Sequence, residues 1–175
     1  LAFYESKEYE KADTYLRKSF ELKKHSKIAY FIADSNYELG EYVTAKTYAN
    51  LALNDLKPTL ENNKKEYLKK IIYKIDEHAI SNYRRAKITI KYSLALSKNE
   101  YRSMDLSKIQ VIEESSKRQL QRAREKLMAL GIDPNKIENS ILMLMPDKCD
   151  PDYAGNRTPE EVNNCIAEML SLIQF

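Results

Sequence analysis

The sequence predicts an all-α fold. The chain has 175 residues with only 3 glycines and 5 prolines, a composition that favours helices over sheets and turns. Apolar residues also recur at spacings of three and four along most of the chain, as on one face of a helix. A chain of this length forms one domain or one repeat array with a buried core. It contains no run of about 18 apolar residues, so we expect no membrane span.

A residue pattern recurs three times in the first 98 residues. Each copy starts with Tyr, has Ala three residues later and continues with small or apolar residues on the same helical face. The copies are Tyr9, Ala12, Leu16, Ser19 and Phe20; Tyr42, Ala45, Ala49, Ala52 and Leu53; Tyr83, Ala86, Ile90, Ser93 and Leu94. Small residues let helices approach closely, so packing explains these positions and we assign them no chemistry. Because the pattern is already under way at Leu1, we expect the chain to be part of a longer protein.

Ala29–Pro58 is the one complete unit of this kind. It reads as two short amphipathic helices joined by a tight turn at Leu39–Tyr42. Small residues (Ala33, Ala45 and Ala52) stand where the helices must approach. Together with the recurring pattern, this resembles the tetratricopeptide repeat, a helix–turn–helix unit of 34 residues. The resemblance implies a right-handed solenoid, with about three repeats over residues 1–98 and a degenerate fourth repeat or long helix over 99–134.

The third copy leaves two interpretations open. Leu60–Ile80 predicts an extended first helix, and Ser81–Asn82 stands where the preceding copy has Gly40–Glu41. If no turn forms there, the copy becomes a single helix of more than 30 residues. Residues 88–96 also alternate with strand period, but no second strand candidate exists to pair with them, so we predict helix.

The remainder of the chain predicts further helices and a C-terminal cap over residues 135–175. Asp105–Leu130 reads as one long helix, and Asn135–Met145 as a short one. Residues 146–157 form a loop. Thr158 and Pro159 then give a strong helix start, with Thr as the N-cap and Pro in the first turn. The final helix has a broad apolar face, which would close the end of a helical stack.

The resemblance implies a non-catalytic scaffold or adaptor, a subunit of a larger assembly that holds a partner's peptide or helix in a concave groove. Carried over to this sequence, the groove comprises Lys27, Tyr30, Asp34, Tyr37, Leu68, Ile71, Ile75 and His78. The basic clamp with which chaperone-binding members hold a terminal carboxylate needs Lys, Asn and Arg in the groove. Asp34, Ile71 and Ile75 stand there instead, so we expect no chaperone tail. The alternative is that the protein's own helices fill the groove.

Enzyme signatures are missing from the sequence. It has no glycine-rich phosphate loop, no HExxH, no G-x-S-x-G and no Cys–His pair at catalytic spacing. We therefore predict no catalytic residue, no cofactor and no metal. Asp150–Glu161 is similar to a calcium-binding loop, but Ala154 replaces a ligand and two prolines interrupt the frame. Asn156–Thr158 fits the glycosylation sequon, which matters only in a eukaryotic secretory route.

The two cysteines leave the compartment open. Cys149 lies in the predicted loop and Cys165 on the final helix. A disulfide between them would tie the loop to the helix and would place the protein in a periplasm or secretory lumen. Two reduced thiols would suit the cytoplasm.

The charge distribution supports an alternative of a different class. Residues 64–126 contain 17 basic and 8 acidic side chains, whereas residues 127–175 contain 3 and 8. A basic helical face could bind nucleic acid or anionic lipid, or it could attract the chain's own acidic tail. The phosphate contacts would come from Arg84, Arg85, Lys87, Lys91, Arg118, Arg122 and Arg124.

Overall fold

The computed structural model describes residues 1–100, residues 106–137 and Asn164. The helices are α1 (Ala2–Glu5), α2 (Tyr9–Leu22), α3 (Ser26–Glu38), α4 (Tyr42–Asn50), α5 (Asn62–Glu100) and α6 (Leu106–Ala129). A π-helical segment covers Leu51–Asp55, and residues 134–137 are also helical. These ranges contain no β-strand, which confirms the all-α prediction for the described part of the chain. The chain divides into two compact units, Leu1–Glu77 and His78–Phe175.

The first unit is built around α3, which packs against both α2 and α4. Its core contains many alanines at helix contacts. Ala29, Ala33 and Ala49 are fully buried beside Leu60 and Leu68, and Ala12 is buried beside Leu16 and Ile32. A methyl side chain lets two helix backbones approach closely. The larger aromatic rings do not fit between such backbones, and they pack around these contacts instead. The predicted packing role of Ala12, Ala33, Ala45 and Ala52 is confirmed, since each is at most 3% exposed.

A polar network also joins α2 to α3. The Asn36 side chain is 2% exposed, and its Nδ2 donates to the Asp13 Oδ1 at 2.5 Å and to the Ile32 carbonyl at 2.8 Å. Arg17 Nε donates to Asp13 Oδ2 at 2.7 Å, and Arg17 Nη2 donates to Asn36 Oδ1 at 3.3 Å. Because a buried amide without partners is costly, these bonds fix the pairing of the two helices.

Three helix ends share one hydrogen-bonding pattern, the Schellman motif. At the end of α3, Glu41 N donates to the Asn36 carbonyl at 2.8 Å and Gly40 N donates to the Tyr37 carbonyl at 3.1 Å. The same two bonds end α1 and α6. Each motif needs one residue with positive φ, and those residues are Lys7 (61°), Gly40 (77°) and Gly131 (73°). The predicted turn at Leu39–Tyr42 is therefore confirmed.

The third copy of the residue pattern does not form a hairpin. α5 runs without interruption from Asn62 to Glu100 over 39 residues, so Ser81 and Asn82 lie in a helix interior. Of the two interpretations left open, one long helix is the correct one, and the alternative turn at Ser81–Asn82 does not form. Residues 88–96 are helical, as predicted. In the described helices, no segment is both long enough and apolar enough to cross a membrane.

In the second unit, Tyr83 of α5 packs with Leu127 of α6 and with Ile137, and all three are buried. α6 starts and ends within one residue of the predicted helix Asp105–Leu130. The helical residues 134–137 follow Asp133, whose Oδ1 accepts from Asn135 N at 3.0 Å. Asp133–Pro134 therefore starts a new helix, because the carboxylate caps it and Pro occupies the first helical position.

Several predictions lie outside the described residues. These are the cysteine pair Cys149 and Cys165, the calcium-like loop Asp150–Glu161, the sequon Asn156–Thr158, the loop at 146–157, the end of the helix predicted to Met145 and most of the C-terminal helix. Of that last helix only Asn164 is described, and it is helical and exposed.

Candidate functional site

A buried carboxylate on α3 forms the centre of the candidate site. Asp34 is only 5% exposed, and its two oxygens accept hydrogen bonds from two tyrosines of other helices. The Tyr4 hydroxyl of α1 donates to Oδ2, and the Tyr67 hydroxyl of α5 donates to Oδ1 at 2.5 Å. Asp34 thereby joins three helices of the first unit. Hydrogen bonds to an ionised group are stronger than those between neutral groups, so they fix the positions of both rings.

A third tyrosine completes the arrangement. Tyr30 lies one helical turn before Asp34 on α3, and its ring centroid is 6.0 Å from that of Tyr67, with the planes tilted by 50°. The Phe31 ring lies 5.2 Å from Tyr30 and 4.8 Å from Tyr4, edge to face in both cases. We call Tyr4, Tyr30, Tyr67 and Asp34 the Asp34 cluster. Its rings remain partly accessible, since Tyr67 is 38% exposed and the other two are half-buried.

The electrostatics of the cluster keep its hydroxyls protonated. Burial raises the pKa of Tyr4 and Tyr67 far above the usual value, and the hydrogen bond to Asp34 and its negative charge raise each pKa further. Burial and then the Asp34 charge also raise the pKa of Tyr30. A tyrosine beside an anion resists becoming a second anion. The hydroxyls of Tyr4 and Tyr67 therefore act as neutral donors to the carboxylate.

Asp34 has no positively charged partner in the described part of the chain. The ion pairs among the described side chains of residues 1–77 include Lys11 with Glu8, Arg17 with Asp13, Lys46 with Asp76, Lys64 with Glu61 and Lys69 with Glu66. A second carboxylate, Glu38, lies one turn after Asp34, and its charge contributes to the raised pKa of Tyr9 and Tyr67. The cluster consequently combines partly exposed tyrosine rings with a buried carboxylate at the hydroxyl ends of two of them.

The predicted groove residues of the first unit fall into three groups. Lys27 is exposed, and Tyr30 and Tyr37 are half-buried on α3, where they are accessible to a partner. Asp34 is buried on the same helix. The three apolar residues of α5 are core residues, since Leu68, Ile71 and Ile75 are at most 2% exposed.

His78 is exposed and belongs to the second unit, where its Nε2 lies 2.9 Å from the Asn82 Nδ2. The described residues therefore bring together Tyr30 and Asp34 of the predicted set and place three of its apolar members inside the protein.

Sequence reasoning missed Tyr4 and Tyr67. Tyr67 lies 33 residues after Asp34, which equals the spacing between Ala12 and Ala45. In stacked repeats of one length, residues one period apart occupy neighbouring positions on successive helices. Applying the 33-residue spacing of the alanines to Asp34 would have predicted Tyr67 as its neighbour. Tyr4 lies 30 residues before Asp34, so the same rule would have missed it.

The predicted anion-binding residues do not form one exposed face. Arg84, Arg85 and Lys87 of α5 are half-buried, whereas Arg118, Arg122 and Arg124 of α6 are exposed. The side chain of Lys91 is outside the described set. Arg118 Nη2 lies 3.9 Å from Glu114 Oε2. Residues two apart on a helix point to different sides, so Arg122 and Arg124 do not share a surface.

The described residues contain no group of three or more His, Cys, Asp or Glu side chains arranged to hold a metal ion. No protein-family model, curated protein or solved structure matches the chain.

Proposed function

We propose that the chain is a non-catalytic interaction module, which serves as a scaffold or adaptor subunit in a larger assembly. It binds a peptide or helix of a partner protein across the exposed parts of Tyr30, Tyr37 and Tyr67. We further propose that its helices stack as a right-handed solenoid of the tetratricopeptide type. The repeated pattern of Tyr, Ala and turn, with two copies 33 residues apart, supports the solenoid.

The Asp34 cluster is the observation that carries the proposal. Tyrosine is enriched at protein interfaces because its ring offers a large contact area and only two rotatable side-chain bonds need ordering. Here the hydroxyl of Tyr67 is already held by Asp34, so ordering this ring on binding costs little further side-chain entropy. Pre-ordered, partly exposed rings on adjacent helices are suited to an incoming peptide or helix.

Burial determines which variants can test this proposal. A charge at Ile75 would enter the core, because this residue is 1% exposed, and would unfold the unit rather than remove a contact. Tyr30→Leu combined with Tyr37→Leu removes two accessible rings and keeps apolar side chains. The matched control is Tyr15→Leu combined with Tyr73→Leu, which removes two more exposed rings (55% and 65%) outside the cluster.

The test is selection of a random peptide library displayed on phage against the full chain. Peptides that use the proposed surface should bind the wild-type protein and the control at equal affinity. They should bind the Tyr30/Tyr37 variant at least tenfold more weakly, while its circular dichroism remains helical. If no peptide distinguishes the wild-type protein from this variant, or if the control loses binding equally, the proposed surface is wrong.

A further inference from the structure

Asp34 is a buried carboxylate whose charge is not compensated. Both of its described hydrogen bonds come from neutral hydroxyls, and the ion pairs of residues 1–77 leave it out. An ionised group removed from water without a counter-charge is costly even when it is hydrogen-bonded. A cation that reached the cluster would therefore gain an attraction that the free protein leaves unused.

The carboxylate also retains capacity for a further donor. A carboxylate accepts about four hydrogen bonds, and two are occupied by Tyr4 and Tyr67. The remaining acceptor positions suit an ammonium or guanidinium group, since these groups only donate. Glu38 adds a second negative charge whose field reaches the hydroxyl of Tyr67.

The rings around Asp34 favour a cation as well. A Lys or Arg group within about 6 Å of a ring centroid is attracted by the negative face of the ring. The Tyr30 and Tyr67 centroids are 6.0 Å apart with planes tilted by 50°, a separation at which a single point can lie within about 6 Å of both centroids. Aromatic faces beside a carboxylate form a site that distinguishes a charged side chain from an apolar one of the same length.

We infer that the Asp34 cluster is a recognition site for a basic side chain, a lysine or arginine that the partner peptide inserts against Tyr30 and Tyr67. This inference rests on the proposed function and specifies the chemistry of the partner. An apolar peptide is the competing occupant. The two differ in a single measurable property, the dependence of binding on positive charge.

The first experiment uses small probes on the full chain. The probes are the N-acetyl, N-methylamide derivatives of lysine, arginine and norleucine, the last being a neutral analogue of lysine. Signals from ¹³C-labelled tyrosine rings should shift saturably at Tyr30 and Tyr67 with lysine and arginine, and should not saturate with norleucine. Equal shifts with lysine and norleucine, or no shift with either basic probe, would overturn the inference.

Variants test the contributions of the Tyr30 ring and of the Asp34 charge separately. Tyr30→Leu should weaken binding of the lysine probe about tenfold, whereas Tyr30→Phe, which keeps the ring, should leave it within about twofold. Asp34→Asn removes the charge and should abolish saturation. If Asp34→Asn does not fold, the comparison of Tyr30→Leu with Tyr30→Phe still tests the inference. Tyr73→Ala is the control, and a loss equal to that of Tyr30→Leu would contradict the assignment.

The second experiment distinguishes failure of this inference from failure of the proposed function. Each basic residue of a phage-selected peptide is replaced in turn by norleucine. One replacement should weaken binding at least tenfold to the wild-type protein and much less to Tyr30→Leu. If selected peptides use the Tyr30/Tyr37 surface and no replacement matters, the proposed function stands and the basic-residue inference is wrong.

Discussion

The segments around Gly40 and around Asn82 hold the same place in two copies of one residue pattern, yet only the first is a turn. At Gly40 the backbone adopts a φ of 77°, and two hydrogen bonds to the end of α3 close the helix. At Asn82 the helix α5 continues for another 18 residues, to Glu100. The Tyr and Ala positions that follow, Tyr42 and Ala45 or Tyr83 and Ala86, match in spacing.

The difference lies in the residues before the tyrosine. In the hairpin, residues 38–43 are all exposed, so the buried face is interrupted between the two helices. In α5, Ile75, Ala79 and Tyr83 follow each other at four-residue spacing and all are buried or half-buried. An uninterrupted face favours a continuous helix. Ser and Asn cost only about 0.5 kcal/mol each in a helix interior, too little to end it.

The largest predicted effect is the difference in stability loss when Ala45 or Ala86, the alanines of the two segments, is replaced by leucine. Ala45 is fully buried, whereas Ala86 is half-buried in α5. Ala45→Leu forces side chains into a closely packed contact and should lower the free energy of unfolding by about 2 kcal/mol. Ala86→Leu should change it by at most about 0.5 kcal/mol. Urea denaturation followed by circular dichroism gives both values, and equal losses would mean that Ala86 also lies at a close helix contact.

The next effect concerns the bond that holds the start of α5 to α3. Tyr67→Phe removes the hydroxyl that donates to Asp34 and should cost about 1.5 kcal/mol, because the acceptor is charged. The control, Tyr73→Phe, changes a ring that is 65% exposed and should cost almost nothing.

The pH dependence of unfolding gives an independent test of the same bond. Burial and the bond to Asp34 raise the pKa of Tyr67 in the folded protein, so its contribution is fully present below about pH 10, the usual tyrosine pKa, and is lost as pH rises above that value. Wild-type stability should fall above pH 10 more steeply than that of Tyr67→Phe. Parallel curves would show that the Tyr67 hydroxyl makes no such contribution.

A smaller effect tests the turns themselves. Lys7 occupies the positive-φ position that Gly40 occupies one period later, at 61° against 77°. Left-handed backbone costs residues other than glycine about 1 kcal/mol. Lys7→Gly should therefore stabilise the first unit by about 1 kcal/mol, and Gly40→Ala should destabilise it by a similar amount. A Cβ at position 40 meets nothing within 4 Å, so the conformational cost is isolated. Thermal melts measure both, and effects of the same sign would contradict this account.

Local patterns predicted much of the fold. Helical spacing predicted the helices, the turn at Leu39–Tyr42 predicted the end of α3, and the alanines predicted the helix contacts. The continuity of α5 was left open because it depends on which face stays buried across residues 75–83, and a turn and a helix differ there by little in local preference. Only tertiary packing decides between them.

The candidate site was predicted only in part for a related reason. Tyr30 and Asp34 lie one turn apart on a single helix, so periodicity places them together. Tyr4 and Tyr67 reach Asp34 from other helices, 30 and 33 residues away. The sequence assigned three core residues to an open groove, namely Leu68, Ile71 and Ile75. The pattern of an apolar helix face is the same whether a partner or the protein's own core covers it.

The smallest predicted effect is the stability difference between two variants of Asn82, and its sign distinguishes a helix from a turn at this residue. This exposed residue lies inside α5, and helix interiors rank Ala above Asn and Asn above Gly. Asn82→Ala should raise the free energy of unfolding by about 0.3 kcal/mol, even after loss of the exposed contact with His78. Asn82→Gly should lower it by about the same amount. A turn with positive φ would reverse the order, because glycine is then favoured and alanine strained. Comparing the two variants by denaturant midpoint cancels the shared loss of the asparagine contact, so the order of the midpoints reports the backbone conformation alone.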